Sequence, residues 1–147
     1  MPADTHASPD LTTLRQMELT ADDLRSAANA RARLRRSTAT FFSTHDLLVA
    51  PAVQVAPFDA TLEYPSEVAG VSMDTYLDWM RAATLVSATG LPAMSVPAGF
   101  DGDGLPVGLQ LVGPEGSDEV LLAVAEVYEL ANPQHLRRPR LDVLARA

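Results

Sequence analysis

The 147-residue sequence contains no cysteine and no lysine. Without cysteine it can form no disulfide, no thiolate metal site and no cysteine nucleophile. Without lysine it has no side-chain amine to serve as a catalytic base. All eleven cations are arginine, whose guanidinium does not give up its proton. Long apolar runs are also missing. None approaches the roughly 18 residues of a membrane helix, and the N-terminal MPADTHASPD has no basic region followed by an apolar one. Positive charge is outnumbered, 11 cations against 19 carboxylates for a formal charge of −8, which argues against nucleic acid or an anionic membrane as a partner. His6, His45 and His135 lie far apart with no HxH or HxxxH spacing, and no phosphate loop is present, so neither metal nor cofactor is expected. The expected setting is the cytoplasm.

What is present is a chain with 47% hydrophobic residues, enough to fill the core of one domain. Its organising stretch runs from Ser87 to Gly113. Two apolar runs, Ala93 to Val96 and Val107 to Val112, are each introduced by a Leu-Pro pair and are joined by a turn of alternating aspartate and glycine, Asp101 to Gly104. That pattern predicts a strand pair, with Pro92 and Pro106 at the strand starts. In the second strand Val107, Leu109 and Leu111 fall on one face and Gly108, Gln110 and Val112 on the other, with Gly108 leaving room for something to pack close.

Upstream, residues 1–19 carry no sustained periodicity and read as a loose lead-in, with at most a short helical turn near Leu11 to Met17. Thr20 followed by Asp22 and Asp23 marks a helix start. Ala27, Leu34 and Phe41 then repeat at sevens, predicting an amphipathic helix of about six turns with Arg25, Arg33 and Arg36 on solvated faces. Leu47 to Ala50 is a short strand stopped by Pro51. The adjacent His45 and Asp46 would point to opposite faces of such a strand, so they are not expected to form a catalytic pair. Pro51 to Gly70 reads as a long loop. Ser72 with Asp74 predicts the cap of a second helix, apolar on several faces, reaching Val86. Ser117, Asp118 and Glu119 open a third, whose inward stripe is Leu121, Val124, Ala125 and Tyr128 and whose end is Asn132-Pro133, with asparagine suited to a left-handed cap. Residues 134–147, holding Arg137, Arg138, Arg140 and Arg146, are expected to be a solvated tail.

The order Gly90-Leu91-Pro92-Ala93-x-Ser95-Val96-Pro97-Ala98-Gly99-Phe100, followed by Asp103-Gly104-Leu105-Pro106-Val107-Gly108-Leu109-Gln110-Leu111-Val112-Gly113-Pro114, resembles the C-terminal part of the amidase signature family, serine hydrolases with a Ser-cisSer-Lys triad. Tyr76-Leu77-Asp78-Trp79 resembles the helix before that motif, Asp46 to Pro51 a strand of the shape DxLLxPA, and Asp118 to Glu129 a late helix. The resemblance runs from about Thr20 to about Ala131 and covers roughly the last third of a full-length member. It implies an α/β fold, short strands of a mixed sheet flanked by helices, with residues 20–133 as its unit.

The resemblance also implies the chemistry of hydrolysing a carboxamide. In the family a lysine acts through a bridging serine on a nucleophilic serine, and a glycine- and serine-rich loop holds the oxyanion. This sequence has no lysine, no adjacent serines and no such loop, so no catalytic residue is assigned. Ser95, inside a strand, is expected to bond locally. Trp79 and Met80 are the candidate substrate-pocket residues, with core packing as the alternative. In the related tRNA-amidotransferase members a glutamine-recognising aspartate would fall at Met80, so its absence favours a general amidase ancestry. Ser87 stands where the family often has asparagine, leaving one buried polar contact open. Three readings follow: a truncated amidase inactive alone, one chain of a split amidase whose partner carries the triad, and a binding module that kept the fold. The partners implied are that catalytic chain or a second copy, and a small amide in the complete enzyme.

Overall fold

The computed structural model describes residues 19–137. The helical turn expected near Leu11 to Met17 and the arginines beyond Arg137 lie outside the described residues. Helix α1 (Ala21–Phe42) starts where the sequence places it. The Thr20 hydroxyl accepts from the Asp23 N–H at 3.1 Å, and the Asp23 carboxylate accepts in return from the Thr20 N–H at 2.9 Å, a reciprocal capping box. Its 22 residues make the expected six turns, yet none is fully buried. Leu34 and Phe41 are half-buried, whereas Ala27 and Leu24 are exposed, so only the C-terminal half of the stripe is covered. His45 stacks on Phe41 with centroids 4.2 Å apart, and its Nδ1 lies 3.1 Å from the Phe41 carbonyl oxygen, so it finishes the helix end.

Strand β1 (Leu48–Pro51) is followed by a small hairpin of β2 (Glu67–Val68) and β3 (Val71–Ser72). The stretch expected to be all loop up to Gly70 therefore contains a strand. The two-residue connection has Ala69 at φ 51° and Gly70 at φ 80°, the left-handed pair that matches strand twist. Ser72 belongs to β3 and caps no helix. Its hydroxyl meets Asp74 Oδ1 at 3.4 Å, and helix α2 (Arg81–Thr89) begins nine residues later, shorter than expected. A left-handed Gly90, φ 74°, closes it. The buried polar residue here is Thr89, whose hydroxyl donates to the Val86 carbonyl at 2.6 Å and accepts from the Leu91 N–H at 3.1 Å, while Ser87 is exposed.

Strands β4 (Ala93–Phe100) and β5 (Pro106–Val112) form the expected pair, with β4 continuing past Val96 through an irregularity between Pro97 and Gly99. Asp101 builds the turn: its Oδ1 accepts from the N–H groups of Asp103 at 3.0 Å and Leu105 at 2.8 Å. The three long strands pair with one another in the order β1-β5-β4, antiparallel at both contacts, which makes β5 central and leaves β1 and β4 as edges. The class is α/β, with two small antiparallel sheets and three α-helices among the described residues.

Helix α3 (Asp118–Ala131) covers one face of the larger sheet. Val96, Leu111, Leu121 and Ala125 form the buried core, with Leu47, Met94, Leu109, Val124 and Tyr128 packed around it, so the inward stripe read from the sequence is the observed one. Gly113 lets α3 approach, since a Cβ there would fall on the Ser117 hydroxyl and 3.2 Å from Leu121 Cγ. The ends of α3 differ from expectation. Ser117 gives its hydroxyl to the Pro114 carbonyl at 2.7 Å and makes no side-chain cap. Asn132 has φ −133°, outside the left-handed region, and ends the helix through its side chain, which donates to Tyr128 Oη at 2.8 Å and to the Ala98 carbonyl at 3.3 Å. A 3-10 turn (Gln134–Leu136) follows, and Arg137 lies over the Phe100 ring at 3.7 Å; it is docked and not part of a free tail. Among the described residues, no helix is long and apolar enough to cross a membrane.

Candidate functional site

The segment between β3 and α2 positions the first candidate residue. It is wound by two polar residues: the Thr75 N–H and hydroxyl both donate to Asp78 Oδ2, at 2.8 and 2.9 Å, and the Asp78 N–H returns a bond to the Thr75 carbonyl at 3.1 Å. The Thr75 hydroxyl, then its N–H, hold the Asp78 carboxyl below the usual carboxylate range. This knot sets the next residue, Trp79, among other rings. Phe58 meets it edge-on with centroids 5.5 Å apart, Tyr76 does so at 5.6 Å, and Tyr64 continues the series against Tyr76 at 6.2 Å. Such edge-to-face pairs add to the area they bury. The indole Nε1 is buried and has no hydrogen-bond partner among the described residues.

Trp79 and Phe58 form one side of a cleft of about 310 Å³. Pro51, Val53 and Val55 form another, and Pro106, Val107 and Gly108 of β5 a third. Among the described residues, no charged side chain lines it. Gly108 permits the close approach read from the sequence, because a Cβ there would lie 2.9 Å from Ala52 Cβ and 3.0 Å from Ser95 Oγ. The cleft suits an uncharged, apolar group. Met80, the second candidate, is half-buried at the N-cap of α2, where its carbonyl accepts from Ala83 and Thr84, both at 3.0 Å. It does not line this cleft.

Ser95 sits in β4 opposite Gln110, and the local hydrogen bond expected of its hydroxyl is not formed among the described residues. Ser95 is exposed, whereas Gln110 Oε1 is buried without a partner there. Two residues that sequence reasoning passed over belong to the cleft region: Phe58, and Gln54, whose amide reaches the backbone around Trp79. The signal for Gln54 was a single amide in the apolar run Val53-Gln54-Val55-Ala56-Pro57.

Strands, flanking helices and an apolar cleft define part of an α/β fold. Comparison with known proteins makes this specific. The model of the Amidase family matches residues 8–122. The A-type subunit of glutamyl-tRNA(Gln) amidotransferase from Moorella thermoacetica is 37% identical over 117 residues, covering 80% of this chain and 23% of that protein. Its counterpart from Streptococcus equi subsp. zooepidemicus (strain H70) is 38% identical over 100 residues, covering 68% of this chain and 19% of the other. Among solved structures, a bacterial aryl acylamidase of the amidase signature family superposes with a TM-score of 0.71 at 26% identity, over 82% of this chain and 25% of that one. A 6-aminohexanoate cyclic dimer hydrolase shares the fold, with a TM-score of 0.69 at 24% identity, over 88% and 28%.

The chain belongs to the amidase signature family and matches the C-terminal part of its members. It spans between 19% and 28% of the length of the relatives described, somewhat less than the third expected. Amidotransferases and amidases are both among the matches, so these similarities do not separate the two ancestries weighed at Met80.

Proposed function

We propose that residues 20–133 are the C-terminal segment of a carboxamide hydrolase, which supports the catalytic core and supplies part of its substrate-pocket wall. The observation that carries this reading is the uncharged cleft walled by Trp79 and Phe58. The apolar part of an amide fits against such rings, and the indole N–H is a donor still without a partner among the described residues. In this reading Trp79 is the wall itself and Met80 anchors the start of α2 next to it. Met80 offers no carboxylate to a glutamine amine, which favours simple carboxamides as substrates. In this reading the base, the bridging serine and the oxyanion loop belong to the remainder of the enzyme, and the lack of lysine in this chain supports that for the base. Residues 1–19 lead into the segment, the basic residues 134–147 follow it with Arg137 held against Phe100, and a cysteine-free chain suits a reducing cytoplasm.

A split enzyme, with the catalytic part on another chain, is the second reading. The observation favouring it is the outward face of α3, where Val120, Val127 and Leu130 are 61%, 67% and 77% exposed, so that α3 is apolar on the side away from its own core as well.

Purified and free of host amidase, the 147-residue chain is expected not to hydrolyse benzamide. Co-production with a polypeptide carrying an amidase lysine and its glycine- and serine-rich loop is expected to give turnover that Val127→Glu weakens. Hydrolysis by the chain alone, abolished by replacing one of its own serines, would overturn the proposal.

A further inference from the structure

Helix α2 has a problem at its N-terminus that the local sequence does not solve. The first N–H groups of a helix lack intrahelical acceptors, and the usual remedy is a polar side chain at the N-cap. Here the N-cap is Met80, which makes no such bond. The acceptor comes from 28 residues upstream: Gln54 Oε1 receives the Ala82 N–H at 3.0 Å. The other half of the same amide is also used, since Gln54 Nε2 donates to the Asp78 carbonyl at 3.2 Å. One side chain thus holds the backbone on both sides of Trp79, at the residue before it and three residues after it. The polarity of the two partners dictates which end of the amide faces which.

Gln54 also stands between two clefts. Its neighbours Val53 and Val55 line the apolar cleft with Trp79, while Gln54 itself lines a second cleft of about 320 Å³ together with Ser72, Asp74, Asp78 and Arg81. The segment that bears Phe58 and the turn that bears Trp79 are therefore joined by this amide on one side and by the Phe58–Trp79 ring contact on the other.

We propose that Gln54 is the positioning residue of the Trp79 cleft: by bridging the Asp78 carbonyl and the Ala82 N–H it fixes the indole against the Pro51–Phe58 segment and so keeps the cleft shaped for the uncharged aryl or alkyl part of an amide. The ligand class rests on the reading of this cleft as a substrate-pocket wall, and the positioning role stands on the two hydrogen bonds. Glutamine is the side chain that satisfies both partners at once. Alanine supplies neither bond, and an ionised glutamate keeps the acceptor but loses the donor.

Trp79 is the only tryptophan in the sequence, so its fluorescence reports this position without a label. The full chain would be compared with Gln54→Ala, Gln54→Glu and Thr20→Ala by emission maximum, acrylamide quenching, far-UV circular dichroism and benzamide titration. Gln54→Ala is expected to red-shift Trp79 and raise its quenching at unchanged helix content, and to weaken benzamide binding roughly tenfold, the loss expected for two neutral hydrogen bonds. Gln54→Glu should fall between it and the wild type. Thr20→Ala, which weakens the α1 cap and touches neither residue, should lower stability without moving the emission. A folded Gln54→Ala chain with wild-type emission and quenching would overturn the proposal. Should that variant fail to fold, Gln54→Glu decides, with an intermediate emission supporting the role and an unchanged one overturning it. If Trp79 responds to Gln54→Ala while saturating benzamide leaves the wild-type emission unmoved, the positioning role stands and the substrate-pocket reading falls.

Discussion

Ala69 holds a backbone conformation that L-residues avoid. At φ 51° it is the one described residue other than glycine with positive φ, and it is exposed at the tip of the β2–β3 hairpin. A Cβ in the left-handed region costs about 1 kcal/mol or a little more, and glycine avoids that cost while adding freedom to the unfolded chain. Ala69→Gly is therefore expected to be neutral to stabilising by up to about 1 kcal/mol. Ala69→Val should destabilise, because a β-branched side chain tolerates that region least. Urea denaturation of the two variants checks the ordering.

At the scale of elements, some were legible in the sequence and some were not, for reasons that can be located. Helix α1 was readable because its start is written locally, in Thr20 and Asp23. The β4–β5 pair was readable because Pro106 opens a strand and the Asp101 carboxylate folds the turn within four residues. The start of α2 was not, because its acceptor is Gln54, far away in sequence, while Ser72 with Asp74 offered a plausible cap that the β2–β3 pairing took up instead. Trp79 could be singled out as a candidate, but the cleft beside it depends on Phe58 and β5, which only the fold brings together. The sheet and α3 give the sharpest test at this scale. Gly113→Ala would drive a methyl group into the Ser117 hydroxyl, already committed to Pro114, and against Leu121 in the core. An overpacked contact of this kind costs roughly 1–3 kcal/mol, so the thermal midpoint should drop by several degrees. An equal midpoint would show that α3 can slide away from the sheet.

For the molecule as a whole, stability should depend on pH through three carboxylates with the same kind of partner. The Thr20 hydroxyl and N–H lower the pKa of Asp23, the Thr61 N–H and hydroxyl that of Asp59, and the Thr75 hydroxyl and N–H that of Asp78. Each folded-state pKa lies below its unfolded value, so the stabilisation is complete above the unfolded range, near pH 4, and is lost as pH falls through the folded values. The urea midpoint should decline on acidification below about pH 4, and Asp78→Asn should flatten part of that decline. Asp23 and Asp59 are exposed and Asp78 is only half-buried, so the slope should be shallow.

The edges of the β1-β5-β4 sheet carry a consequence for how copies of this chain meet at high concentration. Among the described residues both outer strands have unpaired rims, yet β1 is four residues long and ends in Pro51, and β4 is broken by Pro97 and the irregularity beside it. Proline offers no amide hydrogen, so neither rim can template a long added strand. Helix α3, by contrast, carries strongly exposed apolar side chains at Val120, Val127 and Leu130. Crowded solutions should therefore form reversible, oil-like clusters through helix faces rather than fibrils with a cross-β repeat.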